Sequence, residues 1–284
     1  MSSVEEHYTQ GNIYNSIVSI LERSGIDTGN LTRKDIAVVD EFHIRGQEIT
    51  RELAQQAALL PEMKVLDVGC GLGGACRLFA GEFGCNATGI DITAEYIDTA
   101  TRLSKLTGMQ QGTRFVQASA LDLPFPHNSF DIVWTQHVQM NIGDKKQFYS
   151  QIARVLRPAG RFVYYDIFIA GKGPLHYPLP WASDASISHL VSTSELKNIL
   201  QELGLIPLST SDETAKSIAS LQNMFGRAEK EGLPELGTHL MMGDNAMEKL
   251  ENLLRNLLEK KIVVESGILE KGLTDQTDYT DFTD

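Results

Sequence analysis

Two periodicities divide this chain. The first sixty residues carry apolar positions at helical spacing: Ile13, Ile17, Ile20 and Leu21 on one face, a break from Gly25 to Asn30, then Val38, Val39, Phe42, Ile49, Leu53 and Leu60 in a run from about Lys34 to Leu60. This predicts two helices ahead of the first strand. From Met63 the pattern becomes strand, turn, helix, repeated. Strands are predicted at Lys64 to Val68, Asn86 to Ile90, Thr113 to Gln117, Phe130 to Thr135 and Gly160 to Phe168. Helices are predicted at Gly74 to Phe83, Ala94 to Thr107 and Lys145 to Leu156. Such alternation predicts right-handed crossovers and a largely parallel sheet covered on both faces, an α/β architecture. The segment from Gly171 to Ser188 mixes Gly171, Gly173, Pro174, Pro178 and Pro180 with aromatic residues and reads as a substrate loop or lid. Beyond it the pattern gives a helix at Thr193 to Leu203, a strand near Ile206 to Ser211, helices at Ala215 to Glu231 and Asn245 to Lys260, and a last strand at Lys261 to Leu269.

These elements suggest a helical cap or lid over residues 1–60, a cofactor-binding core over 61–210, an inserted helical cap over 211–260, a final core strand over 261–271 and an acidic tail over 272–284. In the tail, Asp275, Asp278, Asp281 and Asp284 recur every third residue with almost no aliphatic content, which predicts a solvated, mobile segment. With 284 residues, 42% of them hydrophobic, the chain can bury a full core. No apolar stretch nears the ~20 residues a membrane span requires, and no basic-then-apolar leader is visible at the start, so a cytoplasmic setting is expected. The net charge of −12 disfavours nucleic acid. Cys70, Cys76 and Cys85 form no CxxC pair, so neither a disulfide framework nor a metal site is expected.

The candidate chemistry starts at Lys64 to Gly74, Lys-Val-Leu-Asp-Val-Gly-Cys-Gly-Leu-Gly-Gly, where a buried strand breaks into a glycine-rich turn. Gly69, Gly71 and Gly74 satisfy G-x-G-x-x-G, and Gly69, Gly71 and Gly73 let backbone approach a ligand closely. Taken alone, that match also fits a tight turn with no ligand. Asp67 discriminates among ligands: a carboxylate two positions before the first glycine repels a pyrophosphate docking at the next helix N-terminus. A nicotinamide-dependent oxidoreductase is therefore the poorer reading. S-adenosylmethionine, with its ammonium group and sulfonium cation, suits Asp67 better. Asp91, ending Gly-Ile-Asp, lies about 20 residues on, where a ribose-binding carboxylate is expected, and capping the following helix is its alternative or additional role.

Val-Leu-Asp-Val-Gly-Cys-Gly-Leu-Gly-Gly, Gly-Ile-Asp and the segment Arg154 to Arg161, Arg-Val-Leu-Arg-Pro-Ala-Gly-Arg, resemble three motifs of the class I S-adenosylmethionine-dependent methyltransferases. Leu123 to Pro126 and Ser129 to Asp131 are similar to the small-molecule branch, with its quinone, sterol and sarcosine/dimethylglycine enzymes. The resemblance runs from about Met63 to Phe168. It implies a Rossmann-like sheet of seven strands, the last antiparallel and inserted beside the fifth. The implied reaction is methyl transfer from S-adenosylmethionine, leaving S-adenosylhomocysteine, to a small-molecule acceptor. A noncatalytic cofactor-binding protein of the same fold is the alternative, and a homodimer is an option. It also implies that Ile92 and Gln136 face the cofactor and that Ser119, Ala120 and Leu121 stand around the adenine, where many relatives carry an acid.

The fourth strand ends in Gln136-His137-Val138-Gln139-Met140-Asn141, and in this topology ligands lie beyond the carboxyl ends of strands. His137 is the preferred base or acceptor-orienting residue, with a packing role as the alternative. Gln139 is a neutral alternative, and Asn141 a neutral group able to orient an acceptor. His176, Tyr177 and Trp181, with His189, either enclose the acceptor or cover the sheet edge, while Met224, Phe225, Met241 and Met242 serve as pocket wall or cap core. Arg45, in Phe42-His43-Ile44-Arg45-Gly46, is expected to pair with the cofactor carboxylate if its helix folds over the glycine turn. Tyr8 and Tyr14 are read as parts of a lid, Tyr14 touching substrate.

Overall fold

The computed structural model describes residues 8–9, 11–243 and 245–273; the acidic repeat from 274 on lies outside the described residues. Seven strands form one sheet: β1 (Lys64–Val68), β2 (Asn86–Asp91), β3 (Thr113–Gln117), β4 (Phe130–Gln136), β5 (Leu156–Ile169), β6 (Leu205–Asp212) and β7 (Ile262–Lys271). Their order is β3-β2-β1-β4-β5-β7-β6. β1 to β5 pair in parallel, and β7 enters antiparallel between β5 and β6, as the resemblance implies. Strand order reverses between β1 and its two neighbours β2 and β4, which puts the glycine turn after β1 at the topological switch point where open α/β sheets bind ligands.

The helices are α1 (Ile13–Arg23), α2 (Arg33–Ile36), α3 (Gln47–Gln56), α4 (Gly74–Phe83), α5 (Ala94–Leu106), α6 (Lys145–Val155), α7 (Thr193–Glu202), α8 (Thr214–Glu231) and α9 (Ala246–Leu258). Because a strand side chain alternates faces, Val65 and Trp134 pack with Leu53, Phe79 and Leu253 on one side of the sheet. Leu66, Val68 and Val133 pack with Phe148, Ile152 and Leu196 on the other. α7 starts at the expected place, with Ser192 and Glu195 closing a capping box. None of the helices is long and apolar enough to cross a membrane, among the described residues.

One expected helix is broken. The run from Lys34 to Leu60 divides into α2 and α3 around a loop, residues 37–46. Arg45 at φ 69° and Gly46 at φ 48° take left-handed backbone that no helix continues through. The loop is held elsewhere instead. Arg77 of α4, fully buried, binds Asp40 through Nη2 at 2.8 Å, and the Asp40 carbonyl accepts from Gly74 N at 3.1 Å. Gly74 is needed for that approach, since a Cβ there would come within 2.3 Å of the Asp40 oxygen.

Candidate active site

A cavity of about 1120 Å³ opens beyond the carboxyl ends of β1, β2 and β4. Its glycine end is built from backbone. Gly69 N and Cys70 N both donate to Ile90 O at 2.8 Å, Gly71 N donates to Asp91 Oδ2 at 3.0 Å, and Thr93 N donates to Asp91 Oδ1 at 2.9 Å. Asp91 thus ties the glycine turn to the start of α5, and each oxygen keeps a further lone pair for a ribose hydroxyl. A Cβ on Gly69 would meet Val138 at 2.5 Å, whereas one on Gly71 would stand in open space, a cradle left for a ligand. Gly73 does not line the cavity: a Cβ there would meet the Phe115 ring at 2.6 Å, so it serves strand–helix packing.

Asp67 is buried and lines this end, its Oδ2 accepting from the Cys76 thiol at 3.6 Å. Burial pushes its carboxyl up to about 7, with Glu41 and Asp91 adding repulsion. Burial raises Asp91 as well, against the two backbone donors. Two desolvated carboxylates beside an open glycine cradle fit a cationic ligand carrying a ribose, and S-adenosylmethionine meets both demands. Ile92, Ser119, Ala120 and Leu121 line the same end.

The exit of β4 forms the cavity's middle. His137 takes φ 53°, donates its N–H to Tyr165 O at 2.9 Å, and stacks on the Tyr165 ring with centroids 5.2 Å apart. Burial, then the neighbouring His43, holds its pKa well below the usual imidazole value, so the ring is neutral. The buried Nε2 of His137 and Nε2 of Gln136 have no hydrogen-bond partner among the described residues. Asp166, at the end of β5, props this turn from beneath, accepting from Val138 N at 3.4 Å and Gln139 N at 3.3 Å. Burial pushes Asp166 up to about 7 as well. Lys145 Nζ donates to the carbonyls of Gln139, Ile142 and His189, stapling the turn to the irregular segment after β5. Asn141 lines the cavity and accepts from the Tyr8 hydroxyl at 3.4 Å.

The 37–46 loop supplies the polar groups that the sequence pattern did not single out. Glu41 Oε2 accepts from Thr50 Oγ1 at 2.6 Å and lies 3.3 Å from His43 Nε2, while Glu41 Oε1 is buried without a partner among the described residues. Thr50 Oγ1 also lies 3.2 Å from the Gln136 side-chain amide, bringing loop and strand together. The His43 and His137 rings stand 5.9 Å apart. The signal was present as polar residues, Glu41 and His43, inside a run read as helical.

Several expectations are corrected. The Arg45 guanidinium lines the cavity but binds Glu213 at 3.0 Å and Glu48 and Glu52 at 2.7 Å each, so its charge is already shared among three carboxylates rather than held for a cofactor carboxylate. Gln139 points into the core, Nε2 on Ile167 O, and does not line the cavity. Tyr14 lies outside it too, with Arg102 3.5 Å over its ring. His176 hydrogen-bonds Glu259 at 2.7 Å and Lys261 at 2.9 Å, away from the cavity, and Tyr177 packs on the core. Trp181 does line the cavity, with Met224 and Met242, its Nε1 bound to Ser188 Oγ at 3.0 Å.

Residues 66–164 match the family model described as Methyltransferase domain. The glycine/sarcosine/dimethylglycine N-methyltransferase of Actinopolyspora halophila is 28% identical over 204 residues, 71% of this chain and 32% of that one. A sterol 24-C-methyltransferase of Gibberella zeae is 37% identical over 114 residues, 40% of this chain and 30% of that one. The chain thus spans about a third of the length of these curated relatives. Phosphoethanolamine N-methyltransferase 2 of Haemonchus contortus, solved with S-adenosyl-L-methionine, superposes with TM-score 0.72 at 18% identity, covering 96% of this chain and 60% of that one. From Leu66 to Tyr164 the chain is thus similar to a methyltransferase domain, and its fold is the one seen in the solved phosphoethanolamine N-methyltransferase.

Proposed function

We propose that this protein transfers a methyl group from S-adenosylmethionine to a small-molecule acceptor held between the sheet edge and the α8–α9 cap. The observation that carries this reading is the pairing of Asp67 and Asp91 around the open Gly71 cradle within a single cavity. S-adenosylmethionine, when bound, supplies the activated methyl carbon. The chain's own task is then alignment and exclusion of water. Asp67 binds positive charge, Asp91 takes ribose hydroxyls while holding the glycine turn, and Gly71 gives room.

On the acceptor side His137 is neutral and rigidly stacked, so its Nε2 offers a hydrogen-bonding position of fixed direction. Glu41, fixed by Thr50 and beside His43, lines the same cavity with Oε1 unpartnered among the described residues. Asp166 and Lys145 act only on the backbone that presents His137, and are positioning residues.

Equilibrium binding tests the reading. S-adenosylhomocysteine should bind one per chain, and NAD should not compete. Tight NAD binding without S-adenosylhomocysteine binding overturns it in favour of a nicotinamide-dependent oxidoreductase.

A further inference from the structure

The relatives' names divide between acceptors bearing an anionic group, such as sarcosine, dimethylglycine and phosphoethanolamine, and largely apolar ones, such as sterols. We infer, resting on the methyltransferase reading above, that the acceptor of this protein has an extended apolar body lying beneath the cap, with no anionic group desolvated there.

Charge supplies the first half of the inference. An anionic acceptor in a desolvated site needs a cation to replace its lost hydration. Among the described residues lining the cavity the lysine and arginine side chains are Arg45 and Arg227. Arg45 is consumed by Glu48, Glu52 and Glu213, and Arg227 is exposed. Two other buried cations nearby are occupied as well: Arg77 by Asp40, and Lys145 by three carbonyls. The lining does include the carboxylate of Glu41, whose Oε1 is buried and unpartnered among the described residues. A carboxylate or phosphate on the acceptor would meet repulsion there.

The apolar wall supplies the second half. At about 1120 Å³ the cavity exceeds the ~300–1,000 Å³ of a pocket for one small ligand, so a second molecule fits beside the cofactor. Its cap side is lined by Trp181, Leu221, Met242, Leu250 and Leu253, all buried, with half-buried Met224 beside them. The indole N–H of Trp181 is already bound to Ser188 Oγ. Along α8 the lining runs from buried Leu221 through Met224 to exposed Arg227 and Glu231. Polarity thus rises toward the rim, and an apolar body is best desolvated beneath the cap. A compact amino acid would leave this wall facing water.

The test uses the full chain saturated with S-adenosylhomocysteine, whose own binding is measured first. Failure at that step removes the methyltransferase reading and not the shape of the cavity. Decanol and decylamine are then titrated against dimethylglycine and phosphoethanolamine. At least one ten-carbon probe is expected to bind about tenfold or more tighter than both polar ones. Met224→Trp and Leu250→Trp should each weaken that probe by about tenfold while leaving S-adenosylhomocysteine affinity unchanged, which also reports that the variants fold. Dimethylglycine or phosphoethanolamine binding as tightly as the ten-carbon probes overturns the inference. So does an unchanged probe affinity in both tryptophan variants.

Discussion

The two ends of the cavity are built by different means. At the glycine end, backbone amides of residues 69–71 and 93 and two carboxylates, Asp67 and Asp91, all within one strand–turn–helix–strand unit, form the proposed cofactor site. At the acceptor end, side chains from the 37–46 loop, the β4 exit, the segment after β5, and helices α8 and α9 converge from across the chain. A site of the first kind has little freedom to vary, because every group also closes the turn. A site of the second kind can change its acceptor by changing a few cap residues while the cofactor end stays as it is. The loop with Glu41 and His43 joins the two, pinned by Arg77 below and by the Arg45 cluster above.

That contrast breaks most visibly at Arg45. Arg45→Met leaves buried Glu213 with Lys216 as its one ion-pair partner among the described residues and should cost about 3 kcal/mol of unfolding free energy in denaturant titration, with S-adenosylhomocysteine affinity within about threefold of the parent. Unchanged stability with a loss of cofactor affinity beyond about tenfold would return Arg45 to the cofactor end. His137→Ala acts on the acceptor end: turnover with any acceptor the protein methylates should fall about a hundredfold while S-adenosylhomocysteine affinity holds within about threefold. Equal losses in both would make the residue a cofactor contact.

Proton linkage sharpens the cofactor end. Asp67 rests at about 7 in the folded chain, above its unfolded value, so between about pH 4 and 7 the folded state holds a proton that the unfolded chain has released. Stability of the ligand-free protein therefore falls as pH rises through that window. A cation-bearing ligand prefers the ionised carboxylate, so S-adenosylhomocysteine affinity should rise about tenfold from pH 6 to 8, and Asp67→Asn should flatten the profile. A slope unchanged by Asp67→Asn would move the linkage to another group, Asp166 being the first candidate. The smallest effect is expected at His176 and Tyr14: alanine at His176 and phenylalanine at Tyr14 should leave cofactor affinity and turnover within about twofold, since neither lines the cavity.

The geometry of the glycine end was legible because it is local. β1, Gly69, Gly71 and Asp91 lie within one short stretch, and hydrophobic periodicity places that stretch at a strand's carboxyl end without any knowledge of packing. The antiparallel β7 followed from the family resemblance rather than from the pattern itself. Helical spacing failed at residues 37–46, where Val38, Val39 and Phe42 keep the period while positive φ at Arg45 and Gly46 breaks the helix. Periodicity does not reveal such a break, nor the buried Asp40–Arg77 pair that makes it worthwhile. Arg45 and His176 misled for a common reason: a charged side chain near a site in sequence pairs with whatever opposite charge the fold brings up, here Glu213 of the cap and Glu259 of α9's end.

Calorimetric titration of S-adenosylhomocysteine into the parent protein and into Asp91→Ala tests the central claim, that this cavity's glycine end is a cofactor site. The parent should bind one molecule per chain, and the variant about a hundredfold more weakly, having lost its ribose acceptor and the tie from Gly71 N to α5. Equal affinity in the two proteins, or no binding to either, would contradict it.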